Sequence, residues 1–393
     1  MKDEINFAAE SVAAQINDLN AGWRNQVASA MGMDPKTFQL AQGTLGLQTT
    51  DSSGLFLMAD AVPPQSTTAF FDPSGKNHRS TAYNQLLHAM LPTSTSGLRA
   101  ALGDQYANWI VYRNADTSDL SQEELFKKWA NRRLDPDQTN AAITAFNMTL
   151  SDPINVALTN YVDPANLMTF TNSAGQSFTL PIYSSTIDVA KNAIATSAQS
   201  AKIDYNSATA DTNSTGTTVS GSASGFYDIF SGGVDGSFTE LNQMAASSNF
   251  TITGTINKYA TIASDAGAWY DGSLVSRAYN AKGDYAIWDP KSNMGDWDSF
   301  FGSNGSLARR VSQLLLVSDY SLTVTSAARY SVSEFQQIKS SAKFGIWPFF
   351  SASADATHTK SMTHNEDGSL SVTYTLAPGL IAIWGATVQS APN

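Results

Sequence analysis

The sequence predicts an α+β protein, with an all-α N-terminal domain over residues 1–165 and an antiparallel β domain over 166–393. Three observations carry that expectation. Apolar residues recur every three or four positions early in the chain and every second position later. Asp-Pro and Ser-x-x-Glu helix starts crowd the early part. The stretch Ser220–Ile256 recurs, without a gap and 120 residues on, as Ser340–Leu376, which points to an internal duplication.

The helical half is read first. Val12, Ile16, Leu19, Trp23, Val27 and Met31 fall on one face of a long amphipathic helix. Asp34-Pro35, Asp135-Pro136, Asp152-Pro153 and Asp163-Pro164 each place a capping carboxylate before a proline suited to the first helical position. Ser121 and Glu124 form a capping box ahead of Leu125, Phe126 and Trp129. Helices are also expected over Ser80–Leu91 and Leu98–Arg113.

In the later half, Phe250, Ile252 and Ile256 alternate with Thr251, Thr253 and Thr255. Leu370, Val372, Tyr374 and Leu376 alternate with Ser371, Thr373 and Thr375. Successive strand side chains point to opposite faces, so each copy has one apolar face and one hydroxyl face. Each copy is expected to be a hairpin. The first pairs Phe230–Thr239 with Asn249–Ile256 across Ala245–Asn249, and the second turns at Asp367-Gly368. Tyr320–Thr325 and Leu380–Val388 supply further strands, and Thr186–Gln199 and Leu307–Leu316 are read as helices. Between the copies lies an insert, 265–306, rich in aromatics, Asp, Asn and Gly.

Composition excludes several functions. The net charge of −11 argues against nucleic acid as a partner. With no cysteine, disulfide scaffolds, thiolate zinc sites and thiol nucleophiles are ruled out. No Gly-x-Ser-x-Gly elbow or phosphate-binding loop occurs. Neither a cofactor nor a metal site is predicted, since Asp289, Asn293, Asp296 and Asp298 lack calcium-loop spacing. With no secretory signal and no transmembrane helix expected, the chain is read as cytoplasmic at synthesis, non-classical export remaining open.

Charged residues make up 15% of the chain, against about 25% in a typical soluble domain. From Ile203 to Asn257 there is no Lys or Arg at all. Such a hydroxyl face is either an ordinary solvated or helix-covered sheet face, or part of a membrane-inserting hairpin. On the second reading Phe226, Tyr227, Ile229 and Phe230, with Ile346, Trp347, Phe349 and Phe350 in the other copy, contact a membrane or partner. Phe250, Ile252 and Ile256 are then the lipid-seeking face. The same aromatics also fit a packed seam between the copies.

The insert offers Trp269, Tyr270, Asp271, Trp288, Asp289, Asp296, Trp297 and Asp298 as a platform for a glycan or small polar ligand, or as a self-packed covering loop. The function expected is therefore a non-enzymatic, membrane-associating or pore-forming protein. The alternatives are a self-assembling or glycan-binding protein, and a hydrolase using the insert carboxylates.

Overall fold

The computed structural model describes residues 2–47, 53–65, 78–92, 95–118, 120–171, 175–212, 229–231, 238–284, 287–290, 292–340, 345–349 and 358–391. The chain is α+β, and it divides into two compact units. The first gathers 1–79, 169–265 and 309–390, and the second gathers 80–168 and 266–308 with the last three residues. The units interleave in sequence, so the expected single boundary near residue 165 does not separate them.

In chain order the first unit opens with α1 (Lys2–Ala30), β1 (Phe38–Leu47) and α2 (Ser53–Asp60). Then follow α3 (Arg79–Ala89), α4 (Thr95–Leu102), α5 (Gln105–Ala115), α6 (Gln122–Arg133), α7 (Pro136–Leu150) and α8 (Pro153–Val162). Next come β2 (Leu167–Thr171), β3 (Ser177–Pro181), α9 (Ile187–Thr196), β4 (Ala201–Asn206), β5 (Phe230–Ser231), α10 (Thr239–Ala246) and β6 (Phe250–Ala263). The insert supplies α11 (Gly272–Tyr279) and α12 (Trp297–Phe301). The chain closes with β7 (Arg309–Ser326), α13 (Val332–Ser340), β8 (Gly345–Ile346), β9 (His358–His364), β10 (Leu370–Leu376) and β11 (Ile381–Ser390).

Local signals place the helices of the second unit. The Ser121–Glu124 capping box starts α6, and Asp135 and Asp152 each cap a helix whose first residue is proline. Gly103, at φ 54°, splits the expected 98–113 helix into α4 and α5. Trp109, Phe126, Trp129 and Phe146 fill the core of this bundle. The rings of Phe126 and Phe146 stack at 4.1 Å.

Asp34-Pro35 behaves differently. Its carboxylate accepts from the Lys36 amide and its carbonyl from the Phe38 amide, so it turns the chain into a strand rather than a helix. That strand, β1, pairs antiparallel with β11, which brings part of the expected helical domain into the sheet.

The seven-stranded sheet is organised around β7. On one side β6 runs antiparallel along most of its length, with β4 outside β6. On the other side β10 pairs with residues 320–326 of β7 and β11 with residues 309–317. β9 lies outside β10 and β1 outside β11. The expected helix at Leu307–Leu316 is thus the first half of β7. Val311 and Leu314–Val317 are all buried, because this part of the sheet is covered on both faces. A strand buried on both sides loses its alternation and shows a continuous apolar run.

One side of the sheet packs on α1, α10 and α13, through Leu19, Trp23, Val27, Leu241, Phe335 and Ile338. On the other side, among the described residues, α2 and α9 cover the 309–317 half of β7. The strand bends between these halves at Asp319, whose φ is +50°.

Candidate functional site

The site is built from four adjacent strands and the two connections that join them. Over residues 320–326 of β7 the sheet places hydroxyl residues in register. One row reads Asn206, Thr251, Thr325, Ser371, Thr363. The next reads Asp204, Thr253, Thr323, Thr373, Ser361, and the third Lys202, Thr255, Ser321, Thr375, Thr359. Every position on β6, β7, β10 and β9 in these rows is Ser or Thr, and none is buried. Thr323 and Thr373 share a hydrogen bond of 2.8 Å, and Thr325 and Ser371 one of 2.9 Å. The hydroxyl face anticipated from the alternation is therefore open, not packed under described helices.

The apolar face is the reverse of the same strands. Phe250, Ile252 and Ile256 are fully buried beside Leu370, Val372 and Leu376. As a lipid-seeking surface they are unavailable in this arrangement, because they form the core beneath α1 and α10. Burial also pushes the Tyr320, Tyr330 and Tyr374 hydroxyls well above the ordinary tyrosine range.

The 120-residue offset expected from the sequence holds for part of the described structure. Phe250 and Leu370 both lie opposite Ser326, Ile252 and Val372 opposite Val324, and Ile256 and Leu376 opposite Tyr320. The 120-residue offset is thus obeyed by β6 and β10, which flank one strand in one register. It fails in the preceding segments. Copy two has the expected hairpin, with β9 paired to β10 and Gly368 at φ +85°. Copy one instead has α10, and among the described residues of its expected first strand Phe230–Ser231 is a strand while Thr239 opens α10. Residues 232–237 and 350–357 lie outside the described residues, as do Phe226, Tyr227 and Phe350.

Two connections leave this sheet. Residues 207–249 link β4 to β6, and residues 327–369 link β7 to β10. Both are 43 residues long, since Asn206 and Ser326 stand 120 apart, as do Phe250 and Leu370. Both leave from the same end of the sheet, where Asn206, Thr251, Thr325 and Ser371 form one row.

The connections also meet each other. Phe230 pairs with Ile346 and Ser231 with Gly345, forming the small β5–β8 sheet, and the Trp347 amide donates to Ile229 O at 2.8 Å. Ile229, Phe230, Ile346, Trp347 and Phe349 are all buried. In this structure they are a packed seam rather than an exposed loop.

The insert side chains have structural work to do. Trp269 is fully buried against Tyr83, Tyr161 and Tyr270. Trp288 stacks on Phe300 and donates to Ala281 O, and Trp297 donates to Tyr279 O beneath Lys282. Asp271 caps α11, Asp296 caps α12, and Asp298 pairs with Lys282 at 3.0 Å. Ser299 holds the Asp296 carboxyl below its usual range. The Asp289 amide donates to Ala89 O. These groups serve the core and helix ends of the second unit, which is why they cluster in sequence. Among the described residues no group of three or more His, Cys, Asp or Glu could hold a metal ion.

A cavity of about 290 Å³ opens at the bend of β7, lined by Lys191, Lys258, Asp319 and the Pro378-Gly379 turn. Lys258 there donates to Ala195 O in the last turn of α9, so its charge already serves a helix end. No described helix is long and apolar enough to cross a membrane.

Sequence reasoning missed two buried amides. Asn242 accepts from the Phe230 amide at 2.6 Å and donates to its carbonyl at 3.3 Å. Asn20 of α1 accepts from Trp347 Nε1 at 2.6 Å. No local signal could reveal the second, because its partner lies 327 residues away. Comparison with protein-family models, with curated proteins and with solved structures finds no match for this chain.

Proposed function

We propose that the protein is a non-enzymatic pore former, whose connections 207–249 and 327–369 refold into two membrane-spanning β-hairpins continuing β4–β6 and β7–β10. One observation carries this reading: the connections are equal in length and leave neighbouring strands from the same end of the sheet. Extended in register, they would lengthen four adjacent strands by the same amount. Each arm would hold about 21 residues, roughly 70 Å at strand rise, against the 9–11 or so needed to span a bilayer.

The midpoints support it as well. They fall at Asp228 and Pro348, inside two aromatic-glycine knots, Gly225–Phe230 and Gly345–Phe350. Those knots would become the hairpin tips, with Phe226, Tyr227, Ile229 and Phe230, and Ile346, Trp347, Phe349 and Phe350, at the leading edge. Aromatic residues suit a bilayer interface. Beyond the tips, Phe230, Val234 and Phe238 alternate with polar Ser231, Asp235 and Ser237. Phe350, Ala352, Ala354 and Ala356 alternate with Ser351, Ser353, Asp355 and Thr357. The open hydroxyl rows would continue as the water-facing side. Two hairpins do not close a barrel, and open edges are not tolerated in lipid, so the partner is further copies of this chain.

The test is release of dye from loaded vesicles of varied lipid composition, with Thr363→Cys/Ser371→Cys as a lock. These residues are partners across β9 and β10, within disulfide reach, and the chain has no other cysteine. Release that disappears in the oxidised lock and returns on reduction is expected. Failure to bind or permeabilise any vesicle composition overturns the proposal.

A further inference from the structure

The two connections do not pack independently. They are joined by β5–β8, held from one side by Asn242 and from the other by Asn20. Asn242 is 6% exposed and clamps both backbone groups of Phe230. Asn20 is 8% exposed and accepts from the indole of Trp347, itself 1% exposed. The Ile346 amide donates in turn to the Tyr374 hydroxyl on β10. A buried amide that loses such a partner pays its desolvation in full, so each of these bonds is costly to break alone.

Breaking one site exposes the others. If residues 345–349 lift away, Ile229 O loses the Trp347 amide and Phe230 and Ser231 lose their strand partner. If residues 229–231 lift away, Asn242 and residues 345–347 are orphaned together. We propose that the β5–β8 seam is an interlock. Through it residues 229–231 with α10 and residues 345–349 open as one cooperative unit, pinned to α1 by the Asn20–Trp347 bond. This rests on the pore-forming reading for its purpose, but not for its test. The device makes simultaneous release of two hairpins a property of the soluble fold, so that neither tip is exposed alone.

Native-state hydrogen exchange on the full chain in solution, without lipid, tests it. The probes are the amides of Phe230 and Asn242 in one connection and of Ile346 and Trp347 in the other. They are expected to share one opening equilibrium, lower than that of the β7 amides. Trp347→Phe keeps an aromatic ring but removes the indole donor. It should speed exchange at all four probes by the same factor, about three- to tenfold, with β7 unchanged. Asn20→Ser should do the same, and the double variant should add little more, as for two ends of one bond. Faster exchange confined to Ile346 and Trp347, with Phe230 and Asn242 unmoved, overturns the interlock. Coupled opening together with silent vesicles would keep the interlock and remove the pore; leakage with uncoupled opening would do the reverse.

Discussion

Residues 220–256 and 340–376 share a spacing and an alternation, yet they end in unlike structures. Their last strands, β6 and β10, occupy matching places on either side of β7. Their preceding segments are a helix in one and a strand in the other. The turn residues account for the difference. Copy two reaches β10 through Asp367-Gly368, with Gly368 at φ +85° and Asp367 accepting from the Ser369 amide. At the corresponding places copy one has Ser247-Ser248, and a side chain there disfavours the left-handed backbone that a tight hairpin needs. With no turn to close the hairpin, Thr239–Ala246, which carries Glu, Leu, Gln, Met and Ala, adopts the helix those residues favour. Alternation specifies which side of a strand is apolar; the turn decides whether a neighbour joins it.

The comparison breaks most sharply at Gly254, which stands where copy two has Tyr374. Gly254 has φ +145°, and a Cβ there would collide with Ser321 O. Gly254→Ala should therefore push β6 off β7 and cost above about 4 kcal/mol, read as a fall in the denaturant midpoint. Tyr374 tolerates its side chain because that ring fills the core near Phe349.

The equivalence of the two strands is sharpened by Ile256→Ala and Leu376→Ala. Both residues are fully buried opposite Tyr320. Each substitution should cost about 3 kcal/mol, and the two denaturation curves should nearly coincide. A difference larger than about 2 kcal/mol would mean that the matching register does not bring matching packing.

The smallest effect is expected at the turn. Gly368→Ala meets nothing closer than 3.6 Å, so only backbone strain opposes it. A loss of about 1 kcal/mol should follow, with faster hydrogen exchange confined to β9. Loss of β10 protection as well would show that the turn supports more than the edge strand.

Particular residues mark how far sequence reasoning reached. Ser121, Asp135 and Asp152 start their helices as expected, because a cap is satisfied by amides two or three residues away. The alternation at 250–256 and 370–376 correctly separated a buried face from a hydroxyl face. Leu314–Val317 misled, since a strand covered on both sides carries no period. Trp269 and Asp271 show another limit of sequence reading. Aromatics beside carboxylates resemble a ligand platform, whereas here the indole is core and the carboxylate caps a helix.

By itself the sequence determined the fold class, the starts of α6, α7 and α8, and the two-faced strands. All of these follow from periodicity and neighbouring backbone groups. Only the tertiary structure decided that β6 and β10 flank the same strand, that the hydroxyl rows lie open, and that Ile229–Ser231 pairs with Gly345–Trp347 beneath α1. Those outcomes depend on contacts between residues tens to hundreds of positions apart in the sequence. A buried amide such as Asn20 finds its partner only after the chain has collapsed around it.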